Sequence, residues 1–177
     1  MSDRILIAGI GNIFLGDDAF GVEVVRALYK RAPIPGVRVV DFGIRSLDLA
    51  YALLDPWESV ILVDAVSRRE APGTLFTIEP DLTSIHEETR SGIAVDAHSM
   101  DPVKVLQLAA SMGQIPCKIL VLGCEPGDCG GEEGRMGLTE AVAASIPEAI
   151  RMLDDLLQFH GKYGAANSEN SVQEVRK

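Results

Sequence analysis

Short apolar segments alternate with segments of helical periodicity along most of the chain, and this alternation restricts the fold more than any other feature. Ser59–Val66 (SVILVDAV) is almost continuously apolar, as in a strand buried on both faces. Residues 22–32 instead place apolar side chains at spacings of three and four, which is typical of an amphipathic helix. The predicted strands are Arg4–Gly9, Val37–Phe42, Ser59–Val66, Gly73–Ile78 and Lys118–Gly123, and the predicted helices are 22–32, Ser46–Leu54, Asp101–Met112 and Thr139–His160.

This order of elements predicts an α/β fold, a three-layer α/β/α sandwich with a mostly parallel five-stranded sheet. The strand Gly73–Ile78 follows its predecessor through a connection too short for a parallel crossover, so we expect it to run antiparallel. A chain of 177 residues has the size of a single domain, which we place at residues 1–160. Pro147 predicts a kink or a break in the last helix, and the polar residues 161–177 predict a disordered tail.

Charge and cysteine content exclude several classes of protein. The 26 acidic residues outnumber the 16 Lys and Arg residues, and the net charge is −10. Binding to nucleic acid or to an anionic membrane requires a basic surface, so we expect neither as a partner. The apolar segments are too short to span a membrane, and Ile5–Leu15 lacks the features of a signal peptide. Cys117, Cys124 and Cys129 are too few for a disulfide framework, which favours free thiols and a cytoplasmic location.

The loop after the first strand resembles a nucleotide-binding loop only in part. Gly9 and Gly11 are followed by Asn12, but the third glycine of G-x-G-x-x-G is missing. Asp17 and Asp18 would also repel a phosphate at the N-terminus of the next helix. An aspartate at that helix start instead suits an N-cap, and the glycines are equally explained by a tight turn.

Asp18, Asp64 and His98 are expected at one edge of the sheet, because active groups in such folds lie beyond the carboxyl ends of the strands. Two carboxylates and an imidazole suit a divalent ion such as nickel or zinc and leave positions open for Lewis-acid chemistry. Each residue also has an ordinary interpretation, as a helix-start residue, a strand-end carboxylate and a surface histidine respectively. Further acidic residues at this edge would attract a metal ion or a basic peptide, namely Asp17, Asp41, Asp96, Glu125 and Asp128.

The segment Ile5–Val22, with Gly9-Ile10-Gly11-Asn12 and Gly16-Asp17-Asp18, closely resembles the N-terminal signature of the hydrogenase maturation proteases. These endopeptidases trim the large subunit of NiFe hydrogenases. The resemblance extends in order and spacing over residues 4–157. Its other matching segments are Asp41-Phe42-Gly43, Ile61–Ala65, Pro72-Gly73-Thr74, Ala97-His98 and Gly137-Leu138-Thr139.

The resemblance implies that Asp18, Asp64 and His98 are the functional trio, both as catalytic residues and as metal ligands. It further implies that the partner is a hydrogenase large-subunit precursor, which loses its C-terminal extension after nickel insertion. The nickel would be supplied by that precursor, and other divalent ions are able to occupy the same site. Water would be activated by the ion or by a carboxylate, whereas an aspartic-protease-like pair of carboxyl groups is the competing mechanism.

Two departures from the family pattern and one alternative function accompany this interpretation. The family often has Glu at the position of Asp18, and Ile44 replaces the Thr that follows its D-x-G motif. The segment Cys124–Arg135 is longer and richer in cysteine than the family core, although its cysteine spacing is not a strong zinc signature. The alternative function is a non-catalytic nickel-binding assembly chaperone for a hydrogenase, which would bind the precursor without cutting it.

Overall fold

A computed structural model describes residues 4–85, 101–115, 117–131 and 133–170, with side chains up to residue 158 in the last range. The strands are β1 (Ile5–Ile10), β2 (Val37–Gly43), β3 (Ser59–Ala65), β4 (Leu75–Ile78) and β5 (Lys118–Cys124). The α-helices are α1 (Phe20–Leu28), α2 (Ser46–Ala52), α3 (Pro102–Met112) and α4 (Glu140–Asn170), and a 3-10 turn spans Gly16–Ala19. The predicted alternation of strands and helices is therefore present.

The five strands form one sheet in the order β2-β1-β3-β5-β4. β1 is parallel to both β2 and β3, and β3 is parallel to β5, so four carboxyl ends meet at one edge. β4 pairs antiparallel with β5, as its short connection predicts. The predicted fold class is confirmed.

Helices cover both faces of the sheet. On one face, α2 and α3 pack their apolar side chains against alternate residues of the central strands, including Leu6, Leu62 and Val121. On the other face, Gly9 and Gly21 allow α1 to approach β1 closely, since a Cβ at Gly21 would lie 2.4 Å from the Ile10 carbonyl oxygen. The first turns of α4 cover the same face beside β5, where the Cys124 Sγ lies 3.5 Å from the Ser145 Oγ. This arrangement is the three-layer sandwich.

The C-terminal helix differs from the prediction at both points where the sequence signals an interruption. α4 is one helix through Pro147 and continues past His160 to Asn170, so a break at Pro147 and the predicted helix end are wrong, whereas a kink at Pro147 stays a prediction. Helix extension adds a hydrogen bond for each residue fixed, which offsets unfavourable residues within an established helix. The chain divides into two compact units between Ile146 and Pro147. The domain limit at residue 160 stays a prediction, and residues 171–177 of the predicted tail lie outside the described ranges.

Within the described ranges, no helix combines the length and the apolar character that a membrane span requires.

Candidate functional site

An open cleft of about 950 Å³ lies at the carboxyl edge of the sheet. Four separate loops form its walls, each following a strand or preceding a helix, as the strand-end rule predicts for this type of sheet. Its walls are formed by Asn12, Leu15, Asp18, Ile44, Arg45, Ser46, Leu47, Asp48, Asp64, Ala65, Val66, Ser67, Asp101 and Pro102.

Asp18 reaches the cleft from the 3-10 turn that links β1 to α1. Its Oδ2 accepts a hydrogen bond of 2.7 Å from the Asn12 backbone N–H, which holds the carboxylate against the preceding loop. Gly11 makes this turn possible, because it has φ +134° and a Cβ there would lie 1.8 Å from the Asp18 carbonyl oxygen. The expected N-cap role is wrong: the N-cap of α1 is Ala19, without a side-chain hydrogen bond, because Asp17 and Asp18 bind other amides.

Asp64 lies near the end of β3 and is almost completely buried. Its Oδ1 accepts a hydrogen bond of 2.9 Å from the Ala65 backbone N–H. Burial raises the pKa of Asp64 well above its ordinary value, and the charges of Asp18 and Asp101 raise it further. A carboxyl group in these surroundings is stabilised by a proton or by a cation.

The cleft brings together two of the three predicted site residues, Asp18 and Asp64. His98 lies outside the described residues, and its role as a ligand or catalytic group stays a prediction. The two carboxylates are hard oxygen donors that fit a divalent cation, and the open cleft leaves room for substrate. In the parts of the chain that the structure describes, no three His, Cys, Asp or Glu side chains form a metal-binding group.

The cleft also contains three charged residues whose presence there the sequence did not predict. Arg45 and Asp48 come from the start of α2 and form an ion pair at 3.5 Å between Nη1 and Oδ2. The Arg45 guanidinium also donates to the backbone carbonyls of Asp41 and Phe42. Asp101 is the N-cap of α3 and accepts from the Val103 backbone N–H at 2.8 Å. Asp101 was recognisable as a helix-start residue, but its position in the cleft depends on how α3 packs beside α2.

Asp17, directly beside Asp18, has a structural role that its position in the sequence does not indicate. It is fully buried and binds the loop between β5 and α4. Its Oδ2 accepts from the backbone N–H groups of Gly127 and Asp128 at 2.8 and 2.9 Å and from the Thr139 hydroxyl at 2.8 Å, while its Oδ1 accepts from the Thr139 N–H at 2.6 Å. Burial by itself raises the pKa of Asp17, but these hydrogen bonds outweigh it and lower the pKa overall.

Most of the other acidic residues expected at this edge form hydrogen bonds or ion pairs within the protein or lie outside the cleft wall. Glu125 accepts from the Ser67 hydroxyl and the Arg68 backbone N–H, and the latter bond contributes most to its lowered pKa. Asp128 accepts from the Gly130 N–H and pairs with Arg135. Asp41 is outside the wall of the large cleft, and Asp96 is outside the described residues. The expected negative edge is therefore concentrated on Asp18, Asp64 and Asp101, since Asp48 pairs with Arg45.

All three cysteines are free, as predicted. Cys117 and Cys124 are buried, and burial raises the pKa of the Cys117 thiol to about 11. Burial is also the main cause of the raised pKa of Cys124, so both residues behave as apolar side chains.

Comparisons with known proteins identify a family for this chain. The family model described as hydrogenase maturation protease (HycI) matches residues 22–155. The hydrogenase 2 maturation protease of Escherichia coli K12 is 30% identical over 160 residues, covering 89% of this chain and 93% of that protein. The hydrogenase expression/formation protein HupD of Rhizobium leguminosarum bv. viciae is 30% identical over 170 residues, covering 96% and 81%. Among solved structures, the E. coli hydrogenase maturating endopeptidase HybD superposes with a TM-score of 0.69 at 26% identity, covering 89% of this chain and 94% of that one.

Proposed function

The chain belongs to the hydrogenase maturation protease family, as its N-terminal signature predicts, and we propose that it removes the C-terminal extension of a NiFe hydrogenase large-subunit precursor after nickel insertion. The chain is a peptidase. The observation that carries the finer proposal is the surroundings of Asp64, a buried carboxyl group facing the charges of Asp18 and Asp101 in an open cleft.

Nickel enters this proposal as part of the substrate. A precursor that carries nickel brings a divalent cation to Asp18 and Asp64, where it relieves the repulsion between the two carboxylates. A precursor without nickel lacks this attraction between the cation and the two carboxylates, so it binds more weakly. Recognition of the substrate would thereby also check that the metal has been inserted. His98 is proposed as the third contact with the ion, and other divalent ions fit the same donor set.

Hydrolysis then requires a water molecule and a proton carrier. The water oxygen adds to the carbonyl carbon of the scissile bond, while its proton passes to a basic group such as a carboxylate. The proton is returned to the leaving nitrogen as the C–N bond breaks, giving a new carboxylate and a new amine. Either the substrate-borne nickel polarises the carbonyl, or Asp18 and Asp64 share a proton as in aspartic proteases.

The deciding experiment is a processing assay with purified precursor in nickel-loaded and nickel-free forms, followed by mass spectrometry. We expect shortening of the loaded precursor alone. Equal cleavage of both forms would contradict recognition of nickel and favour the pair of aspartates. Normal processing by an Asp64→Asn or a His98→Ala variant would remove that residue from the site. A precursor that binds but keeps its full mass would instead indicate the assembly chaperone.

A cytoplasmic location is proposed on the state of the cysteines. All three thiols are free, including the exposed Cys129, which is typical of proteins that stay in a reducing compartment. Fractionation of cells followed by detection of the chain would test this location.

A further inference from the structure

α2 carries apolar side chains on its exposed side as well as on its buried side. Leu49, Ala50 and Leu53 are fully buried in the core. Leu47 and Tyr51 lie four residues apart on the other side of the helix and are 48% and 60% exposed. A helix that covers a sheet normally carries polar residues on its outer side, so this pair requires an explanation beyond the fold.

The exposed apolar side chains continue from α2 to the cleft and beyond it. Leu47 and Ile44 both line the large cleft, and Ile44 is 61% exposed. Ile44 and Phe14, which is 59% exposed, also line a smaller depression beside the cleft. We call these four residues, Phe14, Ile44, Leu47 and Tyr51, the apolar rim. Contiguous exposed apolar surface beside a cleft is typical of an interaction site.

The charges of the cleft specify what lies beside the rim. Asp18, Asp48, Asp64 and Asp101 face the cleft, and the guanidinium of Arg45 is already bound to Asp48 and to two backbone carbonyls. The cleft is therefore complementary to a cation, whereas the rim next to it is complementary to apolar side chains. A ligand that fits both has a positive centre with an apolar segment attached.

We infer that the apolar rim binds an extended apolar segment of the substrate polypeptide next to the cleaved bond. This inference rests on the proposed function, which places that bond and its cation in the cleft. The helical part of the rim, from Leu47 to Tyr51, spans roughly 6 Å at about 1.5 Å per residue. A strand rises about 3.3 Å per residue, so the helical part of the rim by itself accommodates roughly two residues of an extended segment. The rim would then determine which precursor is accepted, separately from the chemistry at Asp64.

The test compares the wild type with a Leu47→Gln/Tyr51→Gln double variant and a Met112→Gln control. Met112 is 37% exposed at the far end of α3, whereas the other end of that helix lines the cleft. All three proteins are assayed for cleavage of nickel-loaded precursor, for binding of the precursor on a sensor surface, and for thermal unfolding. Binding of Ni²⁺ alone is measured by calorimetry.

We expect the double variant to raise KM and the Kd for precursor about tenfold, because truncating a buried anchor of an interface has effects of this size. Its kcat, its Ni²⁺ affinity and its unfolding temperature should match those of the Met112→Gln control. Equal KM and Kd in the double variant and the control would overturn the inference while leaving the protease function intact. A wild type that binds the precursor without cutting it would overturn the proposed function, and the Kd values would still decide the role of the rim.

Discussion

Asp17 and Asp64 are two buried carboxylates with opposite surroundings. They are 0% and 3% exposed respectively. Asp17 accepts four hydrogen bonds from the loop between β5 and α4, and its pKa is lowered. Asp64 accepts one hydrogen bond from its neighbour Ala65 within the described structure and faces two other carboxylates, and its pKa is raised. Burial is therefore common to both, and the difference lies in the donors around Asp17 and the neighbouring carboxylates around Asp64.

The contrast separates a structural carboxylate from a functional one. The charge of Asp17 is already compensated by protein groups, so a ligand has nothing to add. Among the residues that the structure describes, Asp64 is stabilised by one backbone N–H and opposed by two carboxylates, so the folded protein stabilises whichever proton or cation arrives there. A structural and a functional carboxylate are even neighbours in the sequence: Asp17 fixes the loop between β5 and α4, and Asp18 lines the cleft.

The largest expected effect is on catalysis by Asp64→Asn. The amide keeps the shape of the side chain but is a poor cation ligand and a poor base, so kcat/KM should fall by about 10²- to 10⁴-fold. The unfolding free energy should stay equal or rise, because the substitution removes a desolvated charge that two other carboxylates repel. Processing kinetics and urea denaturation of the same preparation measure both quantities. A marked loss of stability would indicate that Asp64 is structural after all.

Asp17→Ala should produce the reverse pattern, with stability as the main loss. The substitution leaves the partly buried N–H groups of Gly127, Asp128 and Thr139 without their acceptor and empties the buried position of the Asp17 side chain, which should lower the unfolding free energy by about 3 kcal/mol. Urea denaturation measures the change, and Asp17→Asn, which keeps one acceptor oxygen, should be less destabilised. An unchanged unfolding midpoint for Asp17→Ala would show that the loop is held by other contacts.

The functional carboxylates were predictable from the sequence, whereas the structural role of Asp17 was not. The strand-end rule identified Asp18 and Asp64 because their positions follow from the parallel strands alone. The role of Asp17 depends on a loop 110 residues further along the chain, and Asp101 enters the cleft through the packing of α3. Such contacts have no local periodicity that a single sequence could reveal. The same reason explains why Glu125 was expected to face a ligand and instead binds the backbone N–H of Arg68, 57 residues earlier in the chain.

Asp64 and Asp17 should change the unfolding free energy in opposite directions as the pH rises. The folded protein holds the proton of Asp64 more tightly than the unfolded chain does, so stability should fall as pH rises above the ordinary carboxyl pKa. Asp17 has a lowered pKa in the folded protein, so its contribution is complete above the ordinary value and is lost as pH falls towards the lowered one.

Chemical denaturation across pH 3 to 8 in the presence of a chelator tests this difference. One proton contributes a slope of at most about 1.4 kcal/mol per pH unit, which sets the scale of both effects. Asp64→Asn should flatten the decline above about pH 4, and Asp17→Asn should flatten the rise below it. Identical pH profiles for the two variants would contradict the assignment of opposite surroundings.

The smallest expected effect concerns the surface of the loop that Asp17 holds. Arg135 pairs with Asp128 there, and both side chains are well exposed. Exposed ion pairs contribute little to stability, so Arg135→Gln should lower the unfolding free energy far less than Asp17→Ala does. The effect should also shrink in 1 M NaCl, where solvent-exposed charges are screened, whereas the loss in Asp17→Ala should persist. If Arg135→Gln lowered the unfolding free energy as much as Asp17→Ala, the loop would be held mainly by the surface ion pair and not by the buried carboxylate.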